Sequence, residues 1–206
     1  MAATRKKPRT VTRAFGVDLM MASHPEVRRL KRELEDFSTH GNKVWRSSML
    51  LMDFLKKNPP KQRAKGMEIG CGWGPASIFM AKQFQCKMTA VDLDPAVFPF
   101  LHAQAELNGV TVDTLKSRFE KISGPRLSAY QYLIGSDICF WDEMIDPLFK
   151  LIRRAKKAGV KHVYIADPGR TSFLELAERC EKELGAEYDY HAISRPVRAT
   201  GFILKV

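Results

Sequence analysis

A glycine-rich segment, Glu68–Gly74 (EIGCGWG), is the part of the sequence best suited to bind a ligand. It follows a short apolar run and precedes a helical pattern, which places the glycines in a strand-to-helix turn. Glycine has no Cβ, so the backbone can turn tightly there and approach a ligand closely. Eighteen residues after Gly74, Asp92 ends the next apolar run. A carboxylate at that place can accept hydrogen bonds from both hydroxyls of a ribose, so the two features together predict a nucleoside pocket.

The glycine spacing argues against two familiar phosphate-binding loops. A dinucleotide fingerprint that starts at Gly70 requires Gly or Ala at position 75, where this chain has Pro75. A P-loop requires Gly-Lys followed by Ser or Thr, and the segment contains no such triplet. The pattern therefore indicates a nucleoside ligand without a pyrophosphate, and NAD is not expected to bind.

Downstream of residue 65 the sequence alternates between strand and helix patterns. This alternation predicts a doubly wound, Rossmann-like α/β fold with a seven-stranded, mostly parallel sheet. No helix separates the last two strands, which predicts an antiparallel hairpin at one edge of the sheet. The expected strands span 67–70, 86–92, 110–115, 130–137, 161–166, 187–193 and 197–206. The expected helices span 75–84, 95–107, 137 to about 158, and 171–184.

The basic residues are concentrated in the N-terminal third. Residues 1–65 carry 16 Lys/Arg against six Asp/Glu, which accounts for almost all of the net charge of +11. We expect residues 1–22 to be a flexible arm and two helices, from Pro25 and over 42–57, to pack on a core formed by residues 66–206. Such a basic segment indicates contact with an acidic partner or RNA, unless it is a solvated helix face with a frayed tail.

Composition and cysteine usage exclude several classes of protein. With 45% hydrophobic residues the chain can bury a core, so it is not a disordered tail protein. No run approaches the roughly 18 apolar residues of a membrane span, and no secretory signal is visible, so no membrane association is expected. The four cysteines form no C-x-x-C pair, and no histidine lies at a zinc-finger spacing. Neither a disulfide framework nor a metal site is expected, which fits a reducing cytoplasm.

Several motifs resemble those of S-adenosylmethionine-dependent methyltransferases. The E-x-G-x-G-x-G pattern resembles motif I of the class I, seven-β-strand members. Four other segments are similar to methyltransferase family 16 and to its electron-transfer-flavoprotein lysine methyltransferase branch: 40–51 (HGNKVWRSSMLL), 103–109 (AQAELNG), 137–140 (DICF) and 167–170 (DPGR). The resemblance implies a methyltransferase that uses S-adenosylmethionine, releases S-adenosylhomocysteine and needs no metal.

Position and resemblance together assign residues to the expected cofactor site. Glu68 is expected to anchor the methionine end of the cofactor, directly or through water, and Asp92 to bind the ribose. The resemblance implies that Trp45 closes over the cofactor, the alternative being core packing. The remaining expected cofactor residues are Gly70, Gly72 and Gly74 in the loop, Leu93 against the adenine, Arg118 and Phe119 at the adenine edge, and Asp137 near the transferred methyl group.

The expected acceptor site lies at the end of the fourth strand. Asp137 is the candidate that orients an acceptor amine, with Phe140 and Trp141 walling the channel and contacting a cation through their rings. The alternatives are a helix N-cap for Asp137 and core packing for the two aromatic residues. Arg170 either clamps an acidic acceptor or pairs with Asp167.

These features predict a methyltransferase acting on a protein side chain, with lysine favoured. Two alternatives stay open. One is a small-molecule N- or O-methyltransferase, because a fold does not fix a function. The other is a nucleic-acid-binding module with a vestigial nucleoside pocket. The acceptor and the oligomeric state are not specified by the sequence.

Overall fold

The structure is a computed structural model that describes residues 10–34 and 43–206. Three features of the sequence prediction lie outside the described residues: the basic run at 5–9, Phe37 of the first predicted helix, and residues 40–42 of the segment that precedes Trp45.

The described residues form the predicted alternation of strands and helices. In chain order they are β1 (Val11–Ala14), β2 (Val17–Met20), α1 (Pro25–Glu33), α2 (Arg46–Lys57), β3 (Lys65–Ile69), α3 (Pro75–Phe84), β4 (Lys87–Asp92), α4 (Phe98–Leu107), β5 (Asp113–Lys116), α5 (Gly124–Leu127), β6 (Tyr132–Ser136), α6 (Ile145–Lys157), β7 (His162–Asp167), α7 (Thr171–Leu184), β8 (Glu187–Ile193) and β9 (Ala199–Lys205). Short 3-10 turns lie at Pro95–Val97, Phe119–Lys121 and Asp142–Met144. None of the helices in this described part is long and apolar enough to cross a membrane.

The central sheet has seven strands in the order β5-β4-β3-β6-β7-β9-β8. The strands β3 to β7 are parallel to one another, whereas β9 is antiparallel to both β7 and β8. The predicted fold class is therefore confirmed. The strand order reverses between β3 and β6, and in open α/β sheets such a switch point leaves a crevice at the carboxyl ends of the strands.

Helices cover both faces of the sheet because successive strand residues point to opposite sides. In β6, Leu133 belongs to the core cluster that contains α6 and α7, whereas Ile134 belongs to the one that contains α2 and α3. One boundary differs from the prediction. The long helix expected from residue 137 begins only at Ile145, because residues 137–144 form a loop and a 3-10 turn beside the crevice.

The prediction of a flexible arm over residues 1–22 is wrong for its described part, which forms a β-hairpin. Phe15 and Gly16 both have positive φ, as a tight two-residue hairpin turn requires. The Gln104 side chain of α4 accepts a hydrogen bond from the Met20 amide (2.8 Å) and donates one to the Met20 carbonyl (3.1 Å). Asn108, one turn later, does the same with Asp18 at 2.9 and 2.7 Å. These amides, part of the AQAELNG segment, satisfy the free edge of β2.

Candidate functional site

A cavity of about 460 Å³ lies at the carboxyl ends of β3, β4, β5 and β6, closed on one side by the start of α2. The structure brings ten of the twelve predicted site residues to its wall. They are Trp45, Gly70, Gly72, Asp92, Leu93, Arg118, Phe119, Asp137, Phe140 and Trp141. The other two, Glu68 and Gly74, lie behind the wall and serve the loop that forms it.

The three loop glycines have different roles, although all have positive φ. A Cβ on Gly72 would meet no atom within 4 Å, so the backbone at Gly72 is open to the cavity. A Cβ on Gly70 would overlap the side chain of Ile138. A Cβ on Gly74 would lie 2.6 Å from Leu101 Cδ1 of α4. Gly74 therefore serves packing and does not line the cavity, and its contact with a ligand stays a prediction.

Glu68 is almost fully buried, with 1% of its surface exposed, and it faces the first turn of α3. Its Oε2 accepts a hydrogen bond from the Ser77 amide at 2.9 Å. This bond satisfies one of the N–H groups in the first turn of α3 that have no acceptor within the helix. Burial raises the pKa of Glu68 to about 7. Glu68 does not line the cavity and its Oε2 faces α3, so its role toward the methionine end of a ligand stays a prediction.

Asp92 forms a carboxylate cradle at the end of β4. Its Oδ2 accepts a hydrogen bond from the Gly72 amide and its Oδ1 one from the Asp94 amide, both at 3.0 Å. Each oxygen keeps a further lone pair for a ligand hydroxyl. Burial raises the pKa of Asp92. Leu93, which is 56% exposed, stands at the mouth of the cavity beside this cradle.

Asp137 links three parts of the molecule. It has a φ of +55°, in the left-handed region that Asp and Asn tolerate better than most residues. Its Oδ1 pairs with Arg170 Nη2 at 2.8 Å, and its Oδ2 accepts a hydrogen bond from the Ser47 amide at 3.2 Å. Ser47 lies in the first turn of α2. The alternative in which Asp137 caps the following helix is wrong: it caps α2, 90 residues earlier in the chain.

Arg170 bridges two buried carboxylates. Besides Asp137, it pairs with Asp167, whose Oδ2 lies 2.7 Å from Nη1. Its guanidinium also lies over the ring of Phe140, 4.4 Å from the centroid. Both carboxylates are thus shared with one cation, and the three side chains carry one net negative charge. An acidic group of an acceptor would have to compete with two ion pairs, which disfavours Arg170 as a clamp for it.

Three aromatic rings line the cavity near this triad. The rings of Trp45 and Phe140 meet edge to face with centroids 5.7 Å apart, and the ring centroid of Trp141 lies at the same distance from that of Phe140. Trp141 is 51% exposed. Core packing, the alternative for these three residues, is wrong because all three line the cavity.

Residues 67–159 match the family of methyltransferase domains. The matched residues make up a little under half of the chain. Over 130 residues the chain is 28% identical to the electron transfer flavoprotein beta subunit lysine methyltransferase of Xenopus laevis. That match covers 63% of this chain and 52% of the relative, so the chain spans about half the length of the curated relative that it matches.

Solved structures share the fold of this chain at low sequence identity. SMU.776 in complex with S-adenosylhomocysteine matches all of this chain and 58% of its own, with a TM-score of 0.67 and 13% identity. The tRNA (uracil-54, C5)-methyltransferase of Pyrococcus abyssi, also with S-adenosylhomocysteine, matches 95% of this chain and 43% of its own (TM-score 0.58, 13% identity). The ribosomal protein L11 methylase of Lactobacillus delbrueckii subsp. bulgaricus matches 82% and 80% (TM-score 0.56, 14% identity).

The cavity is acidic, which the sequence prediction did not anticipate. Five carboxylates and two cations line it among the described residues, giving a formal charge of −3. The carboxylates are Asp92, Asp94, Glu120, Asp137 and Glu143, and the cations are Lys43 and Arg118. Lys43 lies over the ring of Trp45, with Nζ 4.4 Å from the centroid. The carboxylates that the sequence prediction missed are Asp94, Glu120 and Glu143. They follow strands β4, β5 and β6, and this place after parallel strands is the signal that could have identified them.

Trp73 of the glycine segment anchors N-terminal elements of the chain. Its ring is 2% exposed and stacks on Phe100 of α4, with centroids 5.0 Å apart and planes 4° from parallel. Val27 and Leu30 of α1 complete this small cluster. The same loop that shapes the cavity therefore also holds α1 against the core.

Proposed function

We propose that the chain transfers a methyl group from S-adenosylmethionine to a lysine side chain of a protein. The observation that carries the proposal is the continuity of one cavity. It joins the carboxylate cradle of Asp92 to an acidic and aromatic pocket around Asp137, so a nucleoside donor and a cationic acceptor fit end to end.

The residues at the Asp92 end fit the nucleoside part of the donor. Both oxygens of Asp92 retain acceptor capacity for the two ribose hydroxyls, and Gly72 leaves room beside them. Leu93 and Phe119 supply apolar surface for the adenine. The volume of about 460 Å³ suits a ligand of this size. When bound, the donor supplies an electrophilic methyl group on a sulfonium.

The residues at the Asp137 end fit a primary amine. The net negative charge of Asp137, Asp167 and Arg170 attracts an ammonium, and the rings of Trp45 and Phe140 exclude water around it. Desolvation by those rings lowers the pKa of the amine, which favours the neutral form with its free lone pair. Asp137 accepts a hydrogen bond from the amine and so directs that lone pair along the line of displacement.

The curated relative supports lysine as the acceptor, since its name describes a lysine methyltransferase. This relative is 28% identical to the present chain over about half of its own length.

The test is transfer of a labelled methyl group from S-adenosylmethionine into a cell lysate, with the Asp137→Asn variant as the matched control. We expect label in a protein fraction that yields methyllysine on hydrolysis, and much less with the variant. Label confined to small molecules or to RNA would refute the lysine assignment while leaving the methyltransferase assignment in place. Absence of any transfer, together with no binding of S-adenosylhomocysteine, would refute both.

A further inference from the structure

Helix α6 carries a basic face that the charge distribution along the sequence does not reveal. Residues 66–206 contain 18 Lys/Arg and 17 Asp/Glu, so this part of the chain is nearly neutral as a whole. Lys150, Arg153, Arg154 and Lys157 nevertheless line one shallow groove. Their spacing of three and four residues places them on the same side of the helix. These four residues are the basic face of α6.

The basic face begins at the cavity. Pro147, in the first turn of α6, lines the cavity, and Lys150 follows one turn later. Arg154 donates hydrogen bonds to the carbonyls of Phe119 and Ile122, both at 2.8 Å, which fixes α6 beside the turn that carries Phe119 of the cavity wall. At 1.5 Å per residue, Lys157 lies about 15 Å from Pro147 along the helix axis. Positive charge therefore runs outward from the cavity mouth over about 15 Å.

Much of this charge is available to a partner. In the described part of the chain, Arg153 and Lys157 are exposed and make no ion pair. Lys150 pairs with Asp146 at 2.6 Å, where both side chains are more than half exposed, so the pair is weak and readily exchanged.

The basic face and the acidic cavity together specify the charge pattern of an acceptor. Resting on the proposed function, we propose that the basic face of α6 binds carboxylates that flank the target lysine in the acceptor protein. The lysine ammonium enters a cavity with a formal charge of −3, and the acidic neighbours of the lysine contact Lys150, Arg153 and Lys157 outside it. An acceptor with a positive lysine between negative neighbours is therefore complementary in charge to a protein with a negative cavity beside a positive face.

Nucleic acid fits the same surfaces less well. A phosphodiester backbone that followed the basic face to the cavity would meet the carboxylates of Asp137 and Glu143 there. The four residues of the basic face include no aromatic ring on which a base could stack, and Phe149, which directly precedes Lys150, is fully buried. We therefore favour an acidic protein segment over RNA.

The test compares two peptide acceptors of equal length. One places glutamates at the third to fifth positions on either side of a single lysine, and the other places serines there. An extended chain spans about 3.3 Å per residue, so four to five residues cover the length of the basic face. For the wild-type protein we expect a higher kcat/KM with the glutamate peptide, and this preference should decrease as salt is raised.

The variant Lys150→Gln/Lys157→Gln should reduce that preference roughly fivefold, in line with the loss of two surface contacts. Its activity on the serine peptide and its affinity for S-adenosylhomocysteine should be unchanged. The matched control is Lys56→Gln/Lys182→Gln, which removes two exposed lysines in the last turns of α2 and α7, away from the cavity. The control should keep the full preference.

Three results would overturn the proposal: equal rates on both peptides in the wild type, an equal loss in the control variant, or tighter binding of a single-stranded RNA than of the glutamate peptide. Transfer to neither peptide by a protein that binds S-adenosylhomocysteine and methylates another acceptor class would instead refute the proposed function.

Discussion

At the scale of single residues, Asp92 shows how a cradle is prepared for a ligand. Backbone amides orient both of its oxygens, so a bound ribose meets acceptors that are already in place. We expect Asp92→Ala to weaken binding of S-adenosylhomocysteine by about 1.5–3 kcal/mol, the range for hydrogen bonds to charged groups. Titration calorimetry measures this. Asp113→Ala, at the exposed start of the neighbouring strand, is the control, and an unchanged affinity for Asp92→Ala would contradict the ribose assignment.

Glu68 predicts a dependence of stability on pH. Its pKa is about 7 in the folded protein and 4.5 in an ordinary environment. Between pH 4.5 and pH 7 the folded state binds more protons at Glu68 than the unfolded state does. The contribution of protonated Glu68 to stability is therefore greatest below pH 4.5 and is lost as the pH rises to about 7. The fall is at most about 3 kcal/mol.

Glu68→Gln does not titrate and keeps an oxygen for the Ser77 amide. The free energy of unfolding of this variant, relative to wild type, should therefore increase by about 2–3 kcal/mol between pH 5 and pH 8. Urea unfolding at both pH values measures it. Exposed Glu178→Gln should show no such change, and a constant difference for Glu68→Gln would mean that the carboxylate is ionised throughout this range.

Substitutions at Asp137 and Asp167 test whether the role of Asp137 is catalytic, as proposed, or structural. Both pair with Arg170, but only Asp137 lines the cavity. Asn tolerates the left-handed backbone at residue 137 better than Ala, so Asp137→Asn isolates the charge. We expect Asp137→Asn to lower turnover about a hundredfold with affinity for S-adenosylhomocysteine nearly unchanged. Asp167→Asn should lower the melting temperature and keep most of the turnover. Similar turnover in both variants would assign Asp137 a structural role.

The sequence predicted where Asp137 lies but not what it contacts. Its place at the end of a strand follows from the apolar pattern before it. Its partners Ser47 and Arg170 come from α2 and from the turn after β7, and their approach depends on how these elements pack. Packing also decides the orientation of Glu68. Nothing in the local pattern shows that its carboxylate faces α3, and for this reason the sequence prediction assigned it to the ligand.

At the scale of elements, Asn108 and Gln104 hold the N-terminal hairpin by its edge. Asn108→Ala removes the hydrogen bonds that the Asn108 side chain makes to the amide and the carbonyl of Asp18. It also removes the bond from the Asn108 side chain to the Gln104 carbonyl. We expect a loss of about 1–3 kcal/mol of stability and faster tryptic cleavage at Arg13 in the hairpin. The control is Asn58→Ala, whose side chain makes one exposed bond to the Phe54 carbonyl. Unchanged cleavage at Arg13 would show that apolar packing alone holds the hairpin.

The elements predicted best are those whose ends carry strong local signals. Helix α3 begins at Pro75 and α7 ends before Gly185, and both were predicted with their observed bounds. The hairpin was missed because its two strands have only four residues each. Strands that short are specified by what they pack on, here the side chains of α4.

At the scale of the whole molecule, the boundary predicted at residue 65 separates basic from neutral sequence, and we expect that it does not separate two folding units. Helix α2 lies before it and packs on the sheet. Five of its apolar side chains, Met49, Leu50, Leu51, Met52 and Leu55, are each 4% exposed or less and belong to one core cluster with β4 and β6. We therefore expect residues 66–206 to have an incomplete core in the absence of α2.

Burial of those five side chains of α2 is worth on the order of 10 kcal/mol, which is comparable to the entire stability of a typical domain. A chain that starts at residue 66 should therefore lack a cooperative thermal transition and bind no S-adenosylhomocysteine. A chain that starts at residue 10 keeps every described element and should unfold cooperatively, with a melting temperature within a few degrees of the full chain. Calorimetry and circular dichroism compare the three. A sharp transition in the shortest chain would instead establish residues 66–206 as an independent domain, with α2 as an appendage whose apolar face contributes little.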